Sequence, residues 1–316
     1  MDNKKIIVVF GATGAQGGGL AHAILDDPKS EFAVRAITRD QNSEKAKQLA
    51  EKGAEVISAD IDDKESMRKA LEGAYGAYFV TFFWSHLDAG RETAEAKNMA
   101  AAAKEAGLKH AIWSTLDDAR NFVPLDDDSM PTLQGKYKVP HFDGKGESDK
   151  FFAEAGVPVT NLLTSFYWDN LIYFGMGPKK GEDGNLVFTL PMADKKLAAI
   201  AAEDIGKCAY GIFKDPKRFI GKTVGIAGEQ LSGKEISEKL SKALKKEVKF
   251  NAITPAQFRG FGFPAADDLG NMFQFYSDFE DHFNKSRDVN LSKELNPELM
   301  SFDMWVNKYA DRIPVE

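Results

Sequence analysis

Gly11, Gly14 and Gly17 stand three residues apart, directly after the apolar run Ile6-Ile7-Val8-Val9-Phe10. Glycines at that spacing let a backbone turn sharply and approach a pyrophosphate. A helix starting from the loop then offers that anion its unpaired N–H groups and the positive end of its dipole. The loop, Gly11-Ala12-Thr13-Gly14-Ala15-Gln16-Gly17-Gly18, reads G-x-x-G-x-x-G rather than the commoner G-x-G-x-x-G. A tight turn without a ligand has the same letters; the strand before it and the helix expected over 20–25 favour a nucleotide loop. Arg39 lies about 20 residues further on, after a second apolar run, where an acidic residue would bond a ribose 2′-hydroxyl and an arginine accommodates a 2′-phosphate. NADP(H) is therefore favoured over NAD(H), unless Arg39 is a solvated loop charge.

Such a loop needs alternating strands and helices to hold it. After the first strand, further strands are expected at 33–38, 55–59, 77–81 and 110–114. Helices are expected at 43–52, closed by Gly53, and at 92–106, closed by Gly107. Another spans 64–71 behind the N-cap Asp62, with Glu65 completing a capping box. Short apolar strands separated by helices make a parallel, doubly wound sheet. The segment 121–140 breaks the rhythm with three prolines and the run Asp126-Asp127-Asp128, and reads as a surface loop near the cleft. Helix resumes at 142–155 and strand at 159–163. Beyond Asn170 a short strand at 186–191, a helix capped by Asp204 and running through Phe213, and a strand at 224–227 follow. Ser232 with Glu235 caps a helix to Leu244.

The chain has 316 residues, 43% hydrophobic and 28% charged, with a formal net charge of −7. That charge, with no basic helix, argues against a sequence-independent grip on nucleic acid, and no direct nucleic-acid partner is expected. The one cysteine, Cys208, has no internal partner and reads as an inert core residue of a reducing compartment. The longest uncharged aromatic stretch, 73–87, is too short to span a bilayer, so no membrane partner is expected. With a strand beginning so early and no leader visible, the expected location is cytoplasmic, with access to the nucleus. His22, His86 and His110 show no metal-ligand spacing. Asp60, at the end of the third strand, could border an adenine or be an ordinary turn residue.

The combination of GATGAQGG, TRD, GAEVISAD, VTFFW, HFDGKGE and FYWDN strongly resembles the NmrA-like proteins, an atypical branch of the short-chain dehydrogenase/reductase superfamily. Similarity covers nearly the whole chain, including the tail GFPAADDLGNMFQFY, and is strongest toward the animal NADPH sensors of that family; the 121–140 loop is longer here. The resemblance implies pyrophosphate contacts from Gly11, Ala12, Thr13, Gly14, Ala15 and Gln16. It assigns the 2′-phosphate side to Thr38, Arg39, Asp40, Gln41, Asn42 and Ser43, and the adenine to Asp60 and Ile61. Thr81, Phe82 and Phe83 would line the span to the nicotinamide, Lys145 would reach the nicotinamide ribose, and Tyr167, Trp168, Asp169 and Asn170 would close over the ring.

The superfamily's reductases carry Tyr and Lys four apart on one helix face, Lys orienting the ribose and Tyr donating a proton. Here Lys145 is retained, but the partner position is His141, and Tyr137 lies in or beside the loop. His141 could be a general acid or a packed side chain. Ser114 or Thr115 could stand for the superfamily's serine or simply end a strand.

The expected fold is α/β: an extended Rossmann fold with a doubly wound parallel sheet and a small mixed α/β C-terminal lobe. Residues 1–165 would bind NADP(H), with later segments returning to that domain, and 166–316 would form the lobe. The expected function is a redox-sensing regulator of NmrA-like type without dehydrogenase activity and with no catalytic residues. It would act on a regulatory protein partner and form a homodimer that depends on cofactor. Its candidate moving parts are 84–91 and 121–140. The alternative is an NADPH-dependent reductase of a quinone or aromatic carbonyl, using Lys145 and His141, with Phe82, Phe83, Trp84, Phe166, Tyr167 and Trp168 as an aromatic pocket.

Overall fold

Short runs of apolar residues form a central sheet in which every pairing is parallel. The computed structural model describes residues 4–181 and 183–315. Its first half alternates β1 (Lys5–Val9), α1 (Ala15–Leu25), β2 (Phe32–Thr38), α2 (Glu44–Glu51), β3 (Glu55–Ser58), α3 (Lys64–Leu71), β4 (Gly76–Phe79), α4 (Ala89–Glu105), β5 (His110–Thr115), α5 (Pro140–Glu154) and β6 (Val159–Leu163). Next come β7 (Phe166–Tyr167), α6 (Asn170–Tyr173), β8 (Lys179–Lys180), β9 (Leu186–Leu190), β10 (Lys196–Ile200), α7 (Ala202–Lys214), α8 (Pro216–Phe219) and β11 (Thr223–Gly225). The chain ends with β12 (Glu229–Ser232), α9 (Gly233–Leu244), β13 (Val248–Ala252), α10 (Pro255–Arg259), α11 (Ala266–Asp278), α12 (Glu280–Lys285), α13 (Val289–Leu295) and α14 (Phe302–Tyr309).

The seven-stranded sheet has the order β11-β6-β5-β4-β1-β2-β3. The chain winds outward from β1 to β3, then crosses back to place β4 on the other side of β1. Strand order thus reverses at β1, and a crevice opens outside the carboxyl ends there. β11 lies beyond residue 165 in sequence yet pairs with β6 in this sheet. Two three-stranded sheets, β12-β10-β7 and β13-β9-β8, belong to the second half. The fold is an extended Rossmann sheet with these small mixed sheets attached.

Both faces of the main sheet are buried, as a parallel sheet requires. Val8, Phe10, Phe79 and Trp113 pack against Met67, Met99 and Phe152 on one face. Ile7, Val9, Tyr78 and Ile112 pack with Leu20, Ile24, Ile205 and Ile212 on the other. A separate core around Trp168, Phe188, Phe275, Phe302 and Trp305 holds the later elements. Helices α1 and α7 touch backbone to backbone: a Cβ on Gly206 would fall 2.0 Å from the Leu20 nitrogen, and one on Gly19 2.1 Å from the Glu203 oxygen.

Several local expectations change. Helix α1 starts at Ala15, not 20, because close packing overrides the low helix propensity of its glycines: Gly17 lies against the Gly11 carbonyl and Gly19 against the Glu203 backbone of α7. Asp63, rather than Asp62, caps α3 by accepting from the N–H groups of Glu65 and Ser66. Asp204 sits inside α7 and accepts from Asn296 Nδ2 at 3.0 Å and the Met300 N–H at 2.8 Å, so it ties the chain terminus rather than capping. The 121–140 segment is pinned, with Met130, Tyr137 and Val139 buried. Lys138 Nζ donates to the carbonyls of Asp127 and Met130, and Asn271 Nδ2 donates to those of Pro131 and Lys138.

Candidate functional site

Gly11 turns the chain at φ 64, and the Gly14 N–H donates back to the Gly11 carbonyl at 2.8 Å. A Cβ on Gly17 would lie 2.5 Å from the Gly11 oxygen, so only glycine lets α1 begin against the loop. Gly14 is the N-cap of α1 and contributes no capping side chain. The first-turn amides of Ala15 and Gln16 are left to face a groove of about 970 Å³ along the carboxyl ends of the strands.

The groove wall contains Gly11, Thr13, Gly14, Ala15 and Gln16 at the loop, and Thr38, Arg39, Asp40 and Ser43 beyond β2. Asp60 and Ile61 follow β3; Thr81, Phe82 and Phe83 follow β4; His141 and Lys145 come from α5; Tyr167 and Asn170 close the far end. Arg39 is exposed and makes no ion pair among the described residues. Asp60 also serves its turn, accepting from the Asp62 N–H at 3.0 Å.

Five expected residues lie elsewhere. Ala12 is buried behind the loop, its N–H donating to the Ile37 carbonyl. Gln41 and Asn42 occupy an exposed turn that Asp40 holds through the Asn42 N–H. Trp168, one residue past β7, points into the second core against Phe302 and Trp305. The Asp169 carboxylate accepts from the Ala202 N–H at 2.8 Å and so anchors the start of α7.

Three sets of side chains fix the chemistry at the β4–β6 end. Gln16 Nε2 donates to the Tyr167 hydroxyl at 2.7 Å, and Gln16 Oε1 accepts from Ser114 Oγ at 2.7 Å and from the Tyr78 hydroxyl. Burial pushes the Tyr167 hydroxyl up to about 12. Lys145 Nζ donates to Thr81 Oγ1 at 2.6 Å and lies 3.2 Å from Glu92 Oε1. His141 Nδ1 lies 2.7 Å from Asp268 Oδ1, both residues buried, with the imidazole beside the rings of Trp84 and Phe142.

The HFDGKGE run is accounted for residue by residue. Asp143 accepts from the N–H groups of Ala119, Lys138 and Val139, and burial pushes its carboxyl up to about 6. Gly144 faces Ala89 and Glu92, and Gly146 admits the Asp118 backbone, where a Cβ would come within 2.6 Å of the nitrogen. Glu147 accepts from Arg120 Nη2. Further along α5, Asp149 accepts from Trp113 Nε1 and Thr115 Oγ1, so Thr115 is committed to structure.

Glu92 and the α11 residues Asp268, Leu269, Met272 and Tyr276 went unassigned in the sequence reading. A signal for Glu92 was present. It shares the buried stripe of α4 with Ala89, Ala96, Met99 and Ala103, where a carboxylate needs a reason. The α11 contribution has no local signal, since over a hundred residues separate Asp268 from His141.

The family profile of the NmrA-like family matches residues 3–306. The chain belongs to the NmrA-like family. An NmrA-like family domain-containing protein of Dictyostelium discoideum is 28% identical over 263 residues, 81% of this chain and 82% of that protein. The NmrA-like family domain-containing oxidoreductase FrzB of Cladobotryum sp is 28% identical over 290 residues, 85% of this chain and 83% of FrzB. The crystal structure of NmrA, a negative transcriptional regulator, in complex with NADP superposes with a TM-score of 0.76 at 22% identity, covering 97% of this chain and 95% of that one. Among the described residues, no helix is long and apolar enough to cross a membrane.

Proposed function

We propose that the protein binds NADP(H) and signals the state of that cofactor pool to a protein partner, without turning over a substrate. The residues fit the group. Uncapped amides of α1 meet a pyrophosphate, the unpaired Arg39 guanidinium meets a 2′-phosphate, and the groove runs on past β4 to Lys145. The NADP complex of NmrA, which shares the fold, supports the same reading.

One observation supports the absence of turnover: the groups that a reductase would use already hold hydrogen bonds within the protein, His141 through Nδ1 alone. Bound NADP(H) would supply or accept a hydride, and reducing a carbonyl also needs a proton at its oxygen. Ser114 donates to Gln16, Lys145 is occupied by Thr81 and Glu92, and His141 stands in the tyrosine position tied to Asp268. The Tyr167 phenol, raised by burial, is a poor acid at neutral pH. As part of this proposal the protein forms a homodimer whose assembly follows cofactor occupancy, and it works in the cytoplasm and nucleus.

A specific feature favours a second reading. The groove continues into an apolar compartment bordered by Trp84, Phe166, Phe174, Met272 and Tyr276, with His141 on its wall, which would suit a quinone or aromatic carbonyl. FrzB is called an oxidoreductase, which supports that alternative. Purified protein mixed with NADPH and a panel of quinones and aldehydes separates the two. We expect saturable NADPH binding with no sustained oxidation. Turnover that disappears in Lys145→Ala and His141→Ala would replace the regulator with a reductase.

A further inference from the structure

Glu92 is fully buried, and its two carboxylate oxygens have different fates. Oε1 accepts from Thr81 Oγ1 at 2.7 Å and lies 3.2 Å from Lys145 Nζ. Oε2 is buried with no hydrogen-bond partner among the described residues. Gly144 of α5 faces Oε2 and offers it no polar group. A glutamine could accept the Thr81 proton equally well. What the carboxylate adds is a negative charge, held at the cost of desolvating an oxygen that gains nothing in return. The residue is therefore to be explained by its charge.

That charge sits beneath one end of the groove. Thr81 and Lys145 lie at the β4 side, across the glycine loop from Arg39. With a 2′-phosphate at Arg39 and a pyrophosphate at α1, the nicotinamide half extends over β4 to β6. The oxidised ring carries a positive charge that the reduced ring lacks. We propose that Glu92 sets the relative affinity for NADP+ and NADPH by neutralising the Lys145 ammonium at the nicotinamide end; this rests on the NADP(H) reading above. With Glu92 in place, Lys145 donates hydrogen bonds without presenting net charge, and a cationic ring is tolerated. Without it, an uncompensated ammonium repels the oxidised form in a poorly solvated site.

The other groups near Lys145 do not substitute for Glu92. Asp149, four residues along α5, is pushed up to about 7 by burial and is only partly charged at neutral pH. The Trp113 ring, 5.1 Å from Nζ, offers a quadrupole and no net charge.

Titration calorimetry with NADP+ and NADPH on the full chain tests this. The variants are Glu92→Gln, Lys145→Met and the two combined, with thermal unfolding as a check on folding. Glu92→Gln is expected to raise the ratio Kd(NADP+)/Kd(NADPH) about tenfold. Lys145→Met, leaving the carboxylate alone, is expected to lower the ratio, and the double variant to return it to within about twofold of wild type. A folded Glu92→Gln protein with an unchanged ratio overturns the proposal, as does a shift of the same sign in both single variants. If Glu92→Gln does not fold, the sign in Lys145→Met decides, and an unchanged or raised ratio is fatal. Wild-type protein that binds neither nucleotide would instead refute the cofactor assignment itself.

Discussion

Two carboxyls on α5 are held against their own charge. Burial pushes Asp143 up to about 6 and Asp149 up to about 7, despite the hydrogen bonds each accepts. In the unfolded chain both would titrate near about 3.9. Between that value and about 7 the folded state therefore binds more protons than the unfolded one, and stability falls as pH rises through this window. Asp149→Asn keeps the oxygen that accepts from Trp113 Nε1 and Thr115 Oγ1 and removes the buried charge. The variant should exceed wild type in stability at pH 8 by on the order of 1 kcal/mol, with the gap clearly smaller at pH 5 and gone below about pH 4. Urea denaturation across these pH values measures it; equal midpoints at pH 8 would mean that Asp149 is solvated enough to ionise freely.

At the scale of elements, the two segments expected to move are joined by the packing of Tyr137 with Ala89 and Trp84 and by the hydrogen bonds of one side chain. Gln134 Nε2 donates to the Leu87 carbonyl at 2.9 Å, and Gln134 Oε1 accepts from the Ala89 N–H at 3.2 Å. Leu87 at φ 57 and Gln134 at φ 47 both occupy the left-handed region, which costs a non-glycine residue about 1 kcal/mol each. The groove-lining Trp84 and Ser85 are thus held from outside by a strained contact. Gln134→Ala should raise amide exchange across 82–89 by about tenfold while leaving the main sheet protected. Hydrogen–deuterium exchange resolves the two regions, and unchanged exchange at 82–89 would show that the hold lies elsewhere.

The main-sheet strands, the glycine loop and the Ser232–Glu235 capping box were legible because their signals are local: period, caps and turn residues. What escaped was set by distant packing. Gly17 is helical against the loop carbonyls and Gly19 against α7, and Trp168 leaves the groove because the second core takes it. Asp268 reaches His141 only through the tertiary fold. Arg39 and Lys145 were legible as groove residues because each sits at a fixed offset from a strand end or motif; Glu92 showed only as a carboxylate on a buried stripe, because its partner depends on which helix α4 faces.

Taken whole, the groove belongs to both halves of the chain. The sheet supplies its floor, while α11 supplies Met272 and Tyr276 to its wall, Asp268 to His141 and Asn271 to the 121–140 segment. A response to an occupant would therefore involve how α11 and the segment after it are held to α5 and to the ends of β5 and β6. That hold rests on a buried pair. Arg287 is fully buried, its Nη2 donating to Asp117 Oδ2 at 2.7 Å and its Nε to the Thr164 carbonyl at 2.8 Å, with the guanidinium 3.8 Å from the centre of the Phe283 ring. His282 Nε2 meets the other Asp117 oxygen at 3.0 Å. Burial alone would raise Asp117, but Arg287 and His282 together outweigh it and hold the carboxyl below the usual range. Its contribution is therefore present above the unfolded carboxylate value and lost as pH falls through the depressed one. Arg287→Met fills similar space and leaves Asp117 buried without its main countercharge, which should cost about 3–5 kcal/mol at pH 7. Because the unpaired carboxyl can be neutralised by a proton, the deficit should shrink as pH falls toward 4. Urea denaturation of both proteins across that range reads the two effects together: a loss under about 1 kcal/mol at pH 7, or one independent of pH, would show that the halves are held by apolar contact alone.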